Sequence, residues 1–244
     1  MLHEIFRIVK TTLSTIGESD PRPNTYLAKL FHKPRYNEII NIIRNYVGSE
    51  INVLIDVGCG RGILNEFLLK IGVRVNRYIC CDINKLYLQE AKGVNINKIL
   101  CDVHDMPIRE RAADLVVCSE VLEHLENPLK TLINMFLSSS QYVLITFPDE
   151  KIKNALGFRY PEHISDIELR DVLYIANRLG YKVKIHRKLY FPFPPHLFDK
   201  IFSFSYRKLW LFSIVLKILT KILGEFCLIK TQILLFKNEE KILV

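Results

Sequence analysis

The sequence predicts an α/β fold with a doubly wound, mostly parallel sheet. The first observation is that two kinds of segment alternate between residues 53 and 189. Short apolar runs, which are typical of buried strands, alternate with segments whose apolar residues have helical spacing. The second is a cluster of three glycines directly after the first apolar run. The third is a series of acidic residues that end the runs after it. Right-handed crossovers bring the carboxyl ends of parallel strands to one edge, so these features predict a single site there.

Seven strands are predicted, and a helical insertion precedes the last one. The predicted strands cover residues 53–57, 77–82, 98–101, 114–118, 141–147, 181–189 and 226–236. The predicted helices cover residues 1–20, 36–47, 62–71, 84–92, 126–139, 166–179 and 199–223. We therefore expect an N-terminal helical cap (1–50), a ligand-binding core (51–190), an inserted basic amphipathic helix (191–225) and a last strand with a tail (226–244).

The glycine cluster is the centre of the expected ligand site. Gly58, Gly60 and Gly62 let the backbone turn sharply and let a ligand approach it, and the following helix points its first N–H groups at that ligand. Asp82 follows about 20 residues later, where a carboxylate can accept hydrogen bonds from ribose hydroxyls. A dinucleotide fingerprint has its third glycine one residue further on, and Asp56 would repel a pyrophosphate. A ligand that carries an ammonium and a sulfonium suits this carboxylate.

The segment Asp56-Val-Gly-Cys-Gly-Arg-Gly62 resembles the first motif of class I S-adenosylmethionine-dependent methyltransferases. Asp82, Asp102 and the run Cys118-Ser-Glu-Val-Leu-Glu-His-Leu125 are similar to the next three motifs, so the resemblance extends over about residues 35 to 190. It implies a Rossmann-like methyltransferase fold, S-adenosylmethionine as cofactor and methyltransferase activity. For each aspartate alone, the alternative is a cap of the next helix or turn. The cofactor-binding residues implied by the resemblance are Asp56, Gly58, Cys59, Gly60, Asp82, Ile83, Asp102, Val103 and Ser119.

A second cluster follows the fourth predicted strand. On a helical turn, Glu120, Glu123 and His124 share one face, and two carboxylates with an imidazole can hold Mg²⁺, Mn²⁺ or Zn²⁺. This E-x-x-E-H pattern resembles the metal motif of the O-methyltransferases of ubiquinone biosynthesis. It also resembles that of the ribose 2′-O-methyltransferases of small-RNA ends, where a further histidine completes the site; His163 is the candidate here.

The same pattern occurs in ordinary family members, where these side chains cap or pack without a metal. Without a metal, His124 or His163 is the candidate general base. The predicted catalytic residues are therefore His124, His163 and Glu120, and the predicted metal ligands are Glu120, Glu123, His124 and His163.

Composition limits location and partners. The six cysteines include no C-x-x-C pair, which favours reduced thiols and a cytoplasmic protein. The net charge of +8 is compatible with an anionic partner but does not require one. The inserted helix can bind a membrane surface through residues 200–223, cover the substrate, or simply pack on the domain.

The predicted function is methyl transfer to a hydroxyl of a small or lipid-like acceptor. One alternative is a metal-dependent RNA ribose 2′-O-methyltransferase, which the basic charge favours, although the sequence shows no appended RNA-binding module. The other is a non-catalytic S-adenosylmethionine-binding partner subunit. The acceptor and the oligomeric state are left open by the sequence.

Overall fold

The computed structural model describes residues 26–149, 162–191 and 229–239. The predicted helices over 1–20 and 199–223, and most of the predicted loop between Asp149 and Ile164, lie outside these residues. The described chain divides into two compact units. The larger comprises 36–147, 164–187 and 232–239, and the smaller comprises 26–35, 148–149, 162–163, 188–191 and 229–231. The glycine turn and the acidic strand ends all belong to the larger unit.

The sheet has seven strands in the order β3-β2-β1-β4-β5-β7-β6, which confirms the predicted doubly wound α/β fold. Neighbouring pairs from β3 to β5 are parallel. The chain reverses its direction of travel across the sheet between β3 and β4, and ligands of such sheets bind at this switch point. The strands are β1 (Glu50–Val57), β2 (Arg74–Asp82), β3 (Ile96–Leu100), β4 (Ala113–Ser119), β5 (Ser139–Asp149), β6 (Tyr181–Phe191) and β7 (Ile229–Asn238).

The last two strands run in opposite directions. The backbone N–H of Glu239, after β7, donates to the carbonyl of Gly180, before β6, over 3.0 Å. Further along, His186 Nε2 and Gln232 Oε1 lie 2.7 Å apart. Residue numbers therefore rise along β6 as those of its partners on β7 fall, which means that β6 and β7 are antiparallel. The last strand was predicted over 226–236; β7 covers Ile229–Asn238, and residues 226–228 lie outside the described residues.

Five α-helices are described. They are α1 (Tyr26–Ile42, followed by a π-helical turn Ile43–Val47), α2 (Ile63–Lys70), α3 (Lys85–Glu90), α4 (Pro128–Ser138) and α5 (Leu169–Arg178). The helix corresponding to α1 was predicted to begin at Tyr36, and this start was wrong, because α1 begins ten residues earlier, at Tyr26. Pro34 lies inside α1 although proline lacks the N–H that an interior position uses, so it gives a false boundary signal.

The core lies on both faces of the central strands. Leu54, Ile55 and Val57 of β1 and Leu115 to Cys118 of β4 are fully buried. Consecutive buried residues, rather than alternating ones, are typical of parallel strands covered by helices on both faces. None of the helices in the described residues is long and apolar enough to cross a membrane.

Candidate active site

The glycine turn after β1 is held by the end of β2. The backbone N–H groups of Gly58 and Cys59 both donate to the carbonyl of Cys81, at 2.8 and 3.1 Å. Gly58, Gly60 and Gly62 have φ of +67°, +52° and +70°, a region in which side chains with a Cβ are strained. Gly62 then precedes the first residue of α2. The turn therefore depends on glycine at all three predicted positions.

Gly58 is also where two turns of the site meet. A Cβ added there would lie 2.4 Å from Cγ2 of Val121, which follows β4. A Cβ on Gly60 would meet no atom within 4 Å. The turn after β1 is thus packed tightly against the turn after β4 at Gly58 and is open at Gly60, where a ligand can approach the backbone.

Asp82 ties the end of β2 to this turn. Its Oδ2 accepts from the Gly60 N–H over 2.7 Å, and its Oδ1 accepts from the Asn84 N–H over 2.8 Å. The side chain is buried. Each carboxylate oxygen has two acceptor positions, so both oxygens retain capacity for ribose hydroxyls. Ile83, the next residue, is 72% exposed, an unusual environment for a large apolar side chain and one suited to a flat ring.

Asp56 lies below the turn in the interior. It is buried, and it accepts a 2.5 Å hydrogen bond on Oδ2 from the hydroxyl of the fully buried Tyr78. Burial raises the pKa of Asp56 from 3.8 to about 7; the Tyr78 bond opposes this shift and the charge of Asp82 adds to it. The folded protein therefore keeps this proton between about pH 4 and 7, where the unfolded chain has lost it, so the contribution of Asp56 to stability falls as the pH rises through that range.

Asp102 caps the turn that follows β3. Its Oδ1 accepts from the backbone N–H of His104 over 2.9 Å and from His104 Nδ1 over 2.7 Å. The backbone bond, followed by the ring, lowers the pKa of Asp102. The predicted alternative of a capping aspartate is therefore what this carboxylate does, while its side chain, 54% exposed, stays accessible to a ligand. Val103, its neighbour, is buried.

The end of β4 is linked to β5 through hydroxyl groups. Thr146 is fully buried, and its Oγ1 donates to Glu120 Oε1 over 2.9 Å. Ser119 Oγ lies 3.0 Å from Thr146 Oγ1. Since Thr146 has one hydroxyl proton and gives it to the carboxylate, Ser119 must donate to Thr146. Glu120 has φ +55°, so its backbone lies in the left-handed region.

This geometry corrects the prediction that Glu120, Glu123 and His124 share one helical face. Only Leu122–His124 form a short 3₁₀ helix, and Glu120 lies before it with left-handed backbone. Glu120 reaches Thr146, whereas Glu123 is buried and its Oε1 lies 3.9 Å from Nε2 of His124, whose side chain is 40% exposed. His163 belongs to the smaller unit, and its place in the site stays a prediction.

The cysteines around the turn are packing residues. Cys59, Cys80, Cys81 and Cys118 are buried, and Cys101 is half-buried. A hydrogen bond with Cys80, with burial, raises the pKa of the Cys59 thiol, and burial raises those of Cys81 and Cys118. Thiols in this state are weak nucleophiles and weak metal ligands.

Three polar residues of the site were not anticipated from the sequence. Tyr78 binds Asp56 across two strands, Thr146 fixes Glu120, and Asn84 caps α3 by accepting from the N–H groups of Leu86 and Tyr87. Asn84 carried a signal, because an asparagine two residues after a strand and before a helix is a common cap. Tyr78 and Thr146 lie in buried strands and their partners are 22 and 26 residues away, so no local pattern indicates them.

Comparison with known proteins agrees with this geometry. A family model described as a methyltransferase domain matches residues 55–136, which include the glycine turn, Asp82, Asp102 and the end of β4. A ubiquinone biosynthesis O-methyltransferase of Hydrogenovibrio crunogenus is 34% identical over 94 residues, which are 36% of this chain. The match spans only 39% of that relative's length.

Solved structures extend the likeness of the fold to almost the whole chain. Magnesium protoporphyrin IX methyltransferase from Synechocystis PCC 6803, solved with bound SAH, superimposes with a TM-score of 0.61 at 14% identity, covering 96% of this chain and 94% of that one. The [4+2]-cyclase SpnF superimposes with a TM-score of 0.60 at 12% identity, with the same two coverages. Because one neighbour is named a methyltransferase and the other a cyclase, the fold alone does not decide the reaction. The family model thus identifies residues 55–136 as similar to a methyltransferase domain, and the solved structures show that the chain shares their fold.

Proposed function

We propose that this protein is an enzyme that transfers a methyl group from S-adenosylmethionine to a hydroxyl of a small or lipid-like acceptor. The observation that carries the proposal is the 2.7 Å hydrogen bond from the Gly60 N–H to Asp82, because it joins the glycine turn to the acid that we propose binds the ribose. The relative named a ubiquinone biosynthesis O-methyltransferase supports the class of acceptor.

In this proposal each strand end holds one part of the cofactor. Asp56 and the turn Gly58-Cys59-Gly60 hold the methionine end, with the backbone near Ser119 beside it. Asp82 binds the ribose hydroxyls with its remaining acceptor positions, and the exposed side chain of Ile83 lies against the adenine. Asp102 accepts from the adenine amino group while Oδ1 continues to cap the turn, and the Val103 backbone lies next to it.

The chain's chemical contribution is mainly positioning. When bound, S-adenosylmethionine supplies an electrophilic methyl group on a sulfonium, and the acceptor oxygen forms the new bond to that carbon as the carbon–sulfur bond breaks. The residues around the turn hold the reacting atoms in line and exclude water. His124 is 40% exposed after β4 and takes up the hydroxyl proton in this proposal, with the Glu123 carboxylate 3.9 Å from its Nε2. Glu120, fixed by Thr146, orients the acceptor as a second candidate base.

A divalent cation is the second part of the proposal. Glu123 Oε1 and His124 Nε2 are 3.9 Å apart, and one ion with bonds of about 2.1 Å can span that distance. The residues therefore fit an ion with one carboxylate and one imidazole ligand, and Glu120 and His163 remain predicted further ligands. A bound ion would lower the pKa of the acceptor hydroxyl.

Label transfer tests the reaction itself. We expect label from methyl-labelled S-adenosylmethionine to appear in phenols, and more strongly in phenols that carry an alkyl tail, with Asp82→Ala as the inactive control. Label in a small RNA instead would support the ribose methyltransferase alternative. Binding of S-adenosylhomocysteine without label in any acceptor would support the non-catalytic partner subunit.

Substitutions at Glu123 and His124 test the two roles proposed for His124, which are general base and metal ligand. We expect Glu123→Gln and His124→Ala each to lower transfer at least about a hundredfold, which is the usual contribution of a positioned acid or base. His186→Asn is the matched control, because that ring binds Gln232 between β6 and β7.

Binding of Mn²⁺, followed by electron paramagnetic resonance, gives a readout independent of activity. Mn²⁺ binding that is lost in both site variants would support the ion. Activity that survives a chelator but falls in His124→Ala would leave His124 as a base alone, and activity that survives both would contradict each role.

A further inference from the structure

Asp56 and Tyr78 form a buried polar pair in the middle of the sheet. They lie on the adjacent strands β1 and β2, where Asp56 is in register with Cys80, two residues beyond Tyr78. Tyr78 is completely buried, Asp56 is 5% exposed, and 2.5 Å separates Tyr78 Oη from Asp56 Oδ2. The glycine turn begins two residues after Asp56. The pair therefore lies directly beneath the segment proposed to hold the methionine end of the cofactor.

The surroundings of the pair are acidic or apolar. The Asp82 carboxylate acts on Asp56 from the end of β2. The Asp56 charge in turn acts on three thiols, which belong to Cys59 in the turn, Cys81 on β2 and Cys118 on β4. Burial, opposed by the Tyr78 bond and reinforced by Asp82, raises the pKa of Asp56 to about 7. Near neutral pH the carboxyl group is therefore divided between its neutral and charged forms.

A cationic ligand changes this balance. An ammonium group near Asp56 favours the carboxylate, because opposite charges attract strongly where water is excluded. We propose that Tyr78 is a positioning residue that holds the Asp56 carboxyl for the cofactor's ammonium group, and that cofactor binding releases the carboxyl proton to solvent. This inference rests on the proposed function. The proton balance is complete, since a neutral carboxyl and a bound ammonium become a carboxylate, the same ammonium and one free proton.

The inference predicts a linked pH dependence. If only the carboxylate form binds the ammonium well, affinity falls about tenfold for each pH unit below the midpoint. Tyr78→Phe removes the hydroxyl that favours the carboxylate, so the midpoint should move to higher pH and affinity at pH 7 should fall. The difference between wild type and variant should narrow at higher pH, where Asp56 is charged in both proteins. A purely structural role of Tyr78 would lower affinity equally at every pH.

Titration calorimetry with S-adenosylhomocysteine tests this between pH 5.5 and 8.5, a range in which its amino group stays charged. We expect wild-type protein to release up to one proton on binding near pH 6, measured in buffers of different ionisation enthalpy. We expect Tyr78→Phe to bind at least threefold more weakly at pH 7 and nearly normally at pH 8.5. Tyr174→Phe, at a tyrosine that is 68% exposed on α5, is the matched control and should follow the wild type.

Each outcome bears on a defined part of the proposal. Wild-type affinity that does not change with pH, or binding without proton release, overturns the inference and leaves the proposed function intact, even if Tyr78→Phe does not fold. Identical pH profiles for wild type and Tyr78→Phe overturn the role of Tyr78. Absence of binding at every pH overturns the proposed function and this inference with it.

Discussion

Gly58→Ala should destabilise the fold by about 2–5 kcal/mol and should be the most harmful single methyl group added to the site. The φ of +67° at this position disfavours a residue with a Cβ by about 1–2 kcal/mol. The new Cβ would also lie 2.4 Å from Cγ2 and 2.9 Å from Cγ1 of Val121. Overpacking of this kind costs about 1–3 kcal/mol more. Guanidinium unfolding monitored by circular dichroism measures the loss.

Gly60→Ala separates the two causes. Its φ of +52° imposes a similar backbone penalty, but no atom lies within 4 Å of the added Cβ. We therefore expect a loss of only about 1–2 kcal/mol. Val121→Ala, combined with Gly58→Ala, should recover part of the larger loss, because it removes both clashing methyl groups. Equal losses in the two single variants, or no recovery in the double variant, would show that the contact between the two turns does not matter.

This contact also illustrates what the sequence could predict. The strands, the glycine turn and the position of Asp82 at the end of β2 were predicted correctly because each is encoded locally, by an apolar run, by glycine spacing and by an acid at the end of a strand. Val121 lies 63 positions after Gly58, and its packing on the turn depends on β1 and β4 being neighbours in the sheet. No local pattern around either residue specifies that proximity.

The error at Glu120 has a related cause. Helical spacing from Glu120 to His124 assumes that the chain enters a helix directly after β4. The Glu120 N–H instead donates to the carbonyl of Thr146 over 3.0 Å, so pairing with β5 continues through this residue before the chain turns. The Thr146 hydroxyl then takes the Glu120 side chain as well. Pairing with β5 thus overrode the local preference for a helix at Glu120. The partner of Tyr78 is likewise set by a neighbouring strand, since Asp56 lies on β1.

Asp82→Asn should weaken cofactor binding about a hundredfold or more while leaving the protein folded. The carboxylate accepts from Gly60 through Oδ2 and from Asn84 through Oδ1, and ribose hydroxyls would use its remaining positions. An asparagine has one acceptor oxygen, so its NH₂ group must face one of the two backbone N–H groups. Loss of that internal bond lowers stability, whereas loss of the ribose hydrogen bonds to a charged group, at about 1.5–3 kcal/mol each, lowers affinity.

The choice of control decides what such a loss means. Asp114 is a matched aspartate near the start of β4, where its Oδ2 accepts from the Val53 N–H over 2.9 Å and its Oδ1 from the Gln141 amide. It also joins two segments of the chain, but at the opposite end of the strand from Ser119. Asp114→Asn should therefore cost some stability and leave the affinity for S-adenosylhomocysteine, measured by calorimetry at pH 8, unchanged.

We thus expect Asp114→Asn to lower stability without changing affinity, and Asp82→Asn to lower affinity in a protein that stays folded. About 3 kcal/mol of lost binding energy corresponds to more than a hundredfold in affinity, which calorimetry resolves easily. If Asp82→Asn bound S-adenosylhomocysteine within threefold of the wild type, the carboxylate would serve only to hold Gly60 and Asn84. The assignment of the ribose to the end of β2 would then fail, although the turn and the fold around it would stand. A loss that is specific to Asp82 would instead show that one buried carboxylate both shapes the glycine turn and binds the ligand that the turn admits.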